Sequence, residues 1–329
     1  MMTDPSPITP EFRLDVGGAV IALTCRQPGL AAGLSAWFDR ASADDSGPPQ
    51  VTLDLTVAPH DDEPAFPRSL LTSKRLLPGG GGFDIADGLV TGWYDAATGR
   101  GAVCVKAALM TGRLTRIFEQ VLYQAHASAR QRMDRPAWLV HSSAVIVEGH
   151  GFLFVGPSGA GKSTVARLSA GLHVLGDEMS LVRPGPGGWE LVGTPFNGTF
   201  RDKQPGVAPL RAILLLEHGS GHELAGIPPG EAVAVLAGEI VPPVGLDEIP
   251  GPGTLPAMVD AARLMAADTT LKLLRFRPDA GFWQTLAAAF DLPAGARPAG
   301  EPTKRDDPKM RDDPTHRDDP TMRGASDVS

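Results

Sequence analysis

The sequence contains only two cysteines, Cys25 and Cys104, far apart and without the spacing of a metal site. A disulfide framework and a zinc centre are therefore not expected, and both read as reduced, buried thiols. Long apolar runs are missing too. No stretch approaches the ~20 residues of a membrane-spanning helix, and Met1-Met2-Thr3-Asp4-Pro5-Ser6-Pro7 has neither the basic nor the apolar region of a secretory signal. The expected location is the cytoplasm, with no membrane partner. Basic charge is not in excess: Lys and Arg number 30 against 38 Asp and Glu, a net charge of −8. Nucleic acid is accordingly not expected as a partner. Two signatures of large nucleotide-binding classes are also missing, the ABC-type signature and the guanine-reading Asn-Lys-x-Asp.

What is present is a chain of 329 residues, 42% hydrophobic, long enough for a substantial core and about two domains. Residues 11–134 read as a β-rich N-terminal domain ending in a long helix. Its expected strands are Phe12 to Val16, Ala19 to Leu23, Val51 to Val57, Gly88 to Trp93 and Gly101 to Lys106, with a helix from Ala31 to Arg40 and loops at 42–50 and 59–67. Between Ala108 and Arg132, Leu109, Leu114, Ile117, Phe118, Val121 and Leu122 recur at helical spacing. The boundary is expected near Asp134-Arg135-Pro136. In residues 135–293 the predicted elements are a hairpin of Trp138 to Val147 with Gly151 to Val155, strands at His173 to Gly176, Ser180 to Arg183, Trp189 to Val192 and Ala212 to Glu217, and helices at Pro256 to Ala267 and Ala280 to Phe290. Residues 1–10 and 294–329 are expected to be disordered. In the latter, Arg-Asp-Asp-Pro recurs with a period of six at Arg305, Arg311 and Arg317, and prolines with charges cannot build a packed core.

Within the second half, Gly156-Pro157-Ser158-Gly159-Ala160-Gly161-Lys162-Ser163-Thr164 fits G-x-x-x-x-G-K-[ST] between an apolar strand and a helix. Glycines at 156, 159 and 161 allow backbone angles closed to other residues, so that successive N–H groups and a helix N-terminus meet a nucleotide's phosphates. Lys162 supplies a point charge for the β and γ phosphates, Ser163 a hydroxyl for Mg²⁺, and Thr164 continues the helix. A mere connection between strand and helix is the bland alternative.

The second feature is Leu175-Gly176-Asp177-Glu178, an apolar segment ending in an acidic pair, which resembles the Walker B element that holds Mg²⁺. Fifteen positions separate Lys162 from Asp177, room for one short helix, a turn and a strand. Such spacing sets two carboxylates beside the phosphate loop, as a phosphotransferase requires: one for the metal, one to accept a hydroxyl proton. Surface turn residues are the alternative reading. Arg201 and Arg211 are candidates for a cation on the transferred phosphate, with Arg211 preceding the strand from Ala212; each also reads as an ordinary surface arginine. Asn197, in Gly193-Thr194-Pro195-Phe196-Asn197-Gly198, is a substrate contact or a turn residue.

Taken in order, His141-Ser142-Ser143-Ala144-Val145, the Glu148-Gly149-His150-Gly151 turn, the loop 156–164 and Gly176-Asp177-Glu178 resemble the catalytic domain of HPr kinase/phosphorylase, and more closely the looser group of HPr kinase-related proteins. Supporting stretches are 193–198, Ala208-Pro209-Leu210-Arg211-Ala212-Ile213 and Leu274-Arg275-Phe276-Arg277-Pro278-Asp279, so the likeness spans about residues 135–290. The resemblance implies a mixed α/β fold: a β-rich N-terminal domain plus a P-loop kinase domain on a mixed sheet of the HPr kinase and phosphoenolpyruvate carboxykinase type. It implies that His141 lies near the transferred phosphate, that Asp177 and Glu178 share Mg²⁺ binding and general-base duty, and that the protein is a homo-oligomer. Without it, His141 is equally a packed or capping histidine. The glycine-rich segment that accompanies the reverse, phosphorolytic reaction in the true family members is not found. The expected activity is therefore an ATP- and Mg²⁺-dependent kinase acting on a hydroxyl, a serine of a protein or peptide. A small-molecule kinase and a non-catalytic nucleotide-sensing scaffold are the competing readings.

Overall fold

The computed structural model describes residues 11–25, 27, 29–38, 47–59, 74–78, 82–110, 115–133 and 136–293. The expected disordered stretches 1–10 and 294–329, Asp134-Arg135 of the expected boundary and most of the two expected loops lie outside them. Among the described residues the protein is mixed α/β, built on two mixed sheets and six α-helices.

The first sheet holds β1 (Glu11–Val16), β2 (Ala19–Cys25), β3 (Val51–Ala58), β4 (Arg75–Leu76), β5 (Phe83–Ile85), β6 (Val90–Asp95) and β7 (Arg100–Lys106), in the order β1-β2-β3-β7-β6-β5-β4. Helix α1 (Leu30–Trp37) carries the chain from β2 to the parallel β3, and β3 pairs in parallel with β7. Alternation along β1, β3 and β7 turns Phe12, Leu14, Leu53, Leu55, Val103 and Val105 onto one face. Helix α2 (Thr115–Gln131) shares that core through Ile117, Phe118, Val121 and Leu122, spaced as an amphipathic helix requires. The helix expected from Ala108 thus starts later, after a 3-10 turn at Ala107–Met110.

The second sheet contains β8 (Trp138–Val147), β9 (His150–Val155), β10 (His173–Gly176), β11 (Met179–Gly185), β12 (Gly188–Gly193), β13 (Val207–His218), β14 (Glu223–Ala225) and β15 (Thr270–Phe276). Two long strands hold it together. The first part of β8 pairs with β11 and the rest with β9 and β10, while β13 passes from β12 to β9 and β15. Phe152 and Phe154 of β9 pack towards α3 (Lys162–Leu168) and α6 (Phe282–Phe290), whereas Leu153 and Val155 pack towards α4 (Pro229–Glu239) and α5 (Thr254–Asp268). Burial on both faces explains why β9 is a continuous apolar run.

The sheets change near residue 135, but the packing does not stop there. Leu139, Leu181, Val192, Phe196 and Leu246 belong to the core of the first sheet. Polar ties cross as well: Arg130 and Arg183 both donate to the Gly17 carbonyl, at 2.5 and 3.1 Å, and buried Lys74 donates to Gln124 and to the Gly245 carbonyl, each at 2.7 Å.

β9, β13 and β15 are parallel, with Leu215 beside Val155 and His218 beside Phe276. Their C-terminal ends form one edge of the sheet, where parallel α/β sheets place their ligands. β8 runs antiparallel to both β9 and β10, so β10 ends at the same edge.

Candidate functional site

At that edge β9 runs into the glycine loop. Gly156, Gly159 and Gly161 adopt φ of 155°, 86° and 108°, the region that admits glycine and little else. At Gly161 the space is closed as well, since a Cβ would lie 2.7 Å from Cζ of Phe276. Pro157, Ser158 and Gly159 are exposed, Ala160 is buried, and α3 starts at Lys162, so Ser163 and Thr164 sit in its first turn. N–H groups there have no intrahelical partner and suit an anion. His218, at the end of β13, donates from Nε2 to the Gly159 carbonyl at 2.8 Å and stacks on Phe276, bracing the loop from beneath.

Lys162 is buried at 6% exposure. Its Nζ donates to the Gly156 carbonyl, lies 3.4 Å from the Pro157 carbonyl and 3.4 Å from Oε2 of Glu239. The same Oε2 lies 3.3 Å from Nδ1 of His141. One carboxylate at the end of α4 thereby joins the loop lysine to the histidine of β8. Its place is fixed by the next residue, because Ile240 bridges to Val140 and the Val241 N–H donates to the Leu139 carbonyl at 2.8 Å.

Asp177 and Glu178 form the turn between β10 and β11, and the Glu178 carbonyl accepts the Ser142 N–H at 3.2 Å. The pair stands at the phosphate-loop edge with β8 between, roughly 10 Å away by strand spacing. The Asp177 carboxylate, 2% exposed, accepts from Thr199 N–H at 3.1 Å, Thr199 hydroxyl at 2.8 Å and Phe200 N–H at 3.1 Å. A carboxylate offers about four acceptor positions, so about one is left for a metal or a proton. Among the described residues, His, Cys, Asp and Glu form no group of three placed to hold a metal ion. Mg²⁺ bound with a nucleotide needs no such cage, taking one or two protein oxygens with phosphates and water.

Behind the turn lie buried Glu119 and half-buried Lys203. Glu119 of α2 accepts from Trp37 Nε1 at 2.7 Å and from the Asn197 N–H at 3.2 Å, and Lys203 donates to the carbonyls of Thr194 at 3.1 Å and Phe196 at 2.5 Å. Burial raises the Glu119 pKa from 4.5 to about 7, hydrogen bonds from Trp37 and Asn197 oppose the rise, and the charge of Glu178 adds to it. Burial lowers the Lys203 pKa from 10.5 to about 8 against the pull of Glu119. Between pH 4.5 and 7 the folded protein keeps a proton on Glu119 that the unfolded chain releases, so this group makes stability fall as pH rises through that window. In Glu119→Gln that fall, at most about 1.4 kcal/mol per pH unit, should disappear. Urea unfolding of both proteins from pH 5 to 8 measures the difference, and parallel curves would refute the assignment.

Other expected residues are not brought to the loop. Arg211 falls at a register shift beside the start of β9, between Leu210 opposite Gly151 and Ala212 opposite Phe152, at the far end of the strand from Gly156, and its guanidinium covers the Phe290 ring at 5.6 Å. Arg201 stacks on Trp37 at 4.6 Å. Asn197 is buried and donates from Nδ2 to the Trp37 carbonyl at 2.7 Å, tying the two halves together. Sequence reasoning passed over Glu239, Glu119, Lys203 and His218. For Glu239 there was one signal, an acid closing an Ala, Val and Gly run in which Glu231 is the only other charge from 229 to 246.

Compared with known proteins, the chain matches no family model and no curated protein.

Proposed function

We propose that the protein is an ATP- and Mg²⁺-dependent kinase that transfers the γ-phosphate to a hydroxyl, with a serine of a protein or peptide as the acceptor. The observation that supports this reading most is the meeting, at one sheet edge, of the glycine loop, the buried Lys162 and the acidic turn Asp177-Glu178. The loop N–H groups would take the β and γ phosphates, and Lys162 would exchange a carbonyl or Glu239 for a phosphate oxygen. Ser163 and the acidic turn would hold Mg²⁺, which supplies charge compensation for the triphosphate. The resemblance to HPr kinase-related proteins agrees with this arrangement, and it is the only ground for choosing a serine.

The test is transfer of label from γ-labelled ATP to lysate components by the wild-type protein and by Lys162→Ala. Acid-precipitable label that depends on Lys162 supports a protein or peptide acceptor. Low-molecular-weight product would instead indicate a small-molecule kinase, and tight ATP binding without any transfer a nucleotide sensor. Label transfer that persists in Lys162→Ala would sink the assignment.

A further inference from the structure

We infer that Glu239 is the positioning residue of a His141–Glu239 pair in which His141 serves as the general base for the attacking hydroxyl, an inference that rests on the kinase reading above. Glu239 is the last residue of α4, where the helix dipole disfavours a carboxylate. It is nevertheless held there, 88% buried by its side chain's 12% exposure, against Lys162 and His141. A residue that breaks a local rule at a ligand-binding edge marks a functional constraint.

The chemistry follows from which nitrogen faces the acid. Nδ1 is the ring nitrogen beside the acid, 3.3 Å from Oε2, so in the proposed pair the neutral ring carries its proton on Nδ1. The lone pair is then on Nε2. The His141 side chain is 38% exposed, which leaves the ring accessible to an acceptor. Asp177, by contrast, already accepts three hydrogen bonds from Thr199 and Phe200, and its remaining position is assigned to Mg²⁺ in the reading above. In the proposed step Nε2 takes the hydroxyl proton as the O–P bond to the γ-phosphorus forms and the bond from that phosphorus to the β-bridging oxygen breaks, releasing ADP. Glu239 stabilises the imidazolium, which later returns its proton to solvent. Water can stand in for the acceptor, so slow ATP hydrolysis reports on the same step. The charged group at the ring is Glu239 from α4, which also holds Lys162 of α3 at 3.4 Å.

The experiment pairs ring NMR with kinetics on the full chain. Nitrogen-15 spectra of wild type should show the Nδ1-protonated tautomer of His141, and in Glu239→Gln, which keeps the size of the side chain, the share of that tautomer should fall. ATP turnover in Glu239→Gln should drop about 10- to 100-fold in kcat, with KM for ATP within about threefold. In a His141→Asn background the Glu239 change should have no further effect on kcat. An Nε2-protonated ring, or a tautomer that Glu239→Gln leaves unchanged, overturns the proposal. So does a variant that raises KM while keeping kcat, for Glu239 would then act through Lys162. A wild-type protein that turns over no nucleotide overturns the kinase reading itself, a separate failure, because the ring tautomer is read without turnover.

Discussion

Lys162→Ala is expected to lower phosphoryl transfer by about a thousandfold or more while leaving a cooperatively folded protein. Removing a fixed donor from developing transition-state charge costs about 10²–10³ in rate, and here the donor is a full cation with 7% side-chain exposure. Affinity for MgATP should fall as well, since the loop N–H groups alone would face the triphosphate. The structural cost is smaller. Lys162 donates to two loop carbonyls and to Glu239, and its loss leaves Glu239 with His141. A partly buried carboxylate that loses one of its partners costs about 1–3 kcal/mol. Calorimetric titration with MgATP, label transfer and urea unfolding on the same preparation separate the two effects. Wild-type transfer rates would show that the loop is no catalytic cradle. A loss of stability far beyond that range, with activity falling only in step with the folded fraction, would make the lysine a structural strut. Lys162→Arg is not a conservative control, because a planar fork does not fit the space of a compact ammonium.

How much of this was legible in the sequence follows from the range of the interactions involved. The hairpin β8–β9 and the glycine loop are local: an apolar run, a turn, then glycines whose positive φ values the motif anticipates. The alternation in β1 and β3 and the helical spacing of Ile117, Phe118, Val121 and Leu122 likewise carry their own period. α4 does not. Ala, Val and Gly alternate through it without a capping side chain, and its helicity comes from packing Ala232, Leu236 and Ala237 on the sheet. β15 was missed because only one residue, Thr269, separates it from α5 and it carries Lys272 and Arg275 among its leucines. Glu239 reaches His141 and Lys162 across 98 and 77 positions, so no local pattern could place it. Arg211 shows the reverse: its place before a strand was readable, but which end of that strand meets the loop is decided by the parallel register with β9.

Gly198→Ala is expected to disable the site through a single methyl group. The glycine has no special backbone angle, so no conformational penalty arises from φ. Its role is closeness: a Cβ would lie 2.0 Å from Oδ1, 2.5 Å from Cγ and 2.9 Å from Oδ2 of Asp177. The carboxylate cannot yield without giving up Thr199 and Phe200, which it holds from both oxygens in a 2%-exposed position. Overpacking costs about 1–3 kcal/mol, and stranding the two N–H donors adds about 1–3 kcal/mol for each one left unpaired. Urea unfolding should therefore show a loss of several kcal/mol, with phosphoryl transfer falling as the acidic turn moves. The control is Asp177→Ala, which loses the same hydrogen bonds but opens the space. In that background Gly198→Ala should cost little more, giving a coupling energy of about 2 kcal/mol or above between neighbouring sites. Strict additivity of the two substitutions would mean that Gly198 and Asp177 do not meet as described, and the case for a carboxylate fixed at this turn would fall with it.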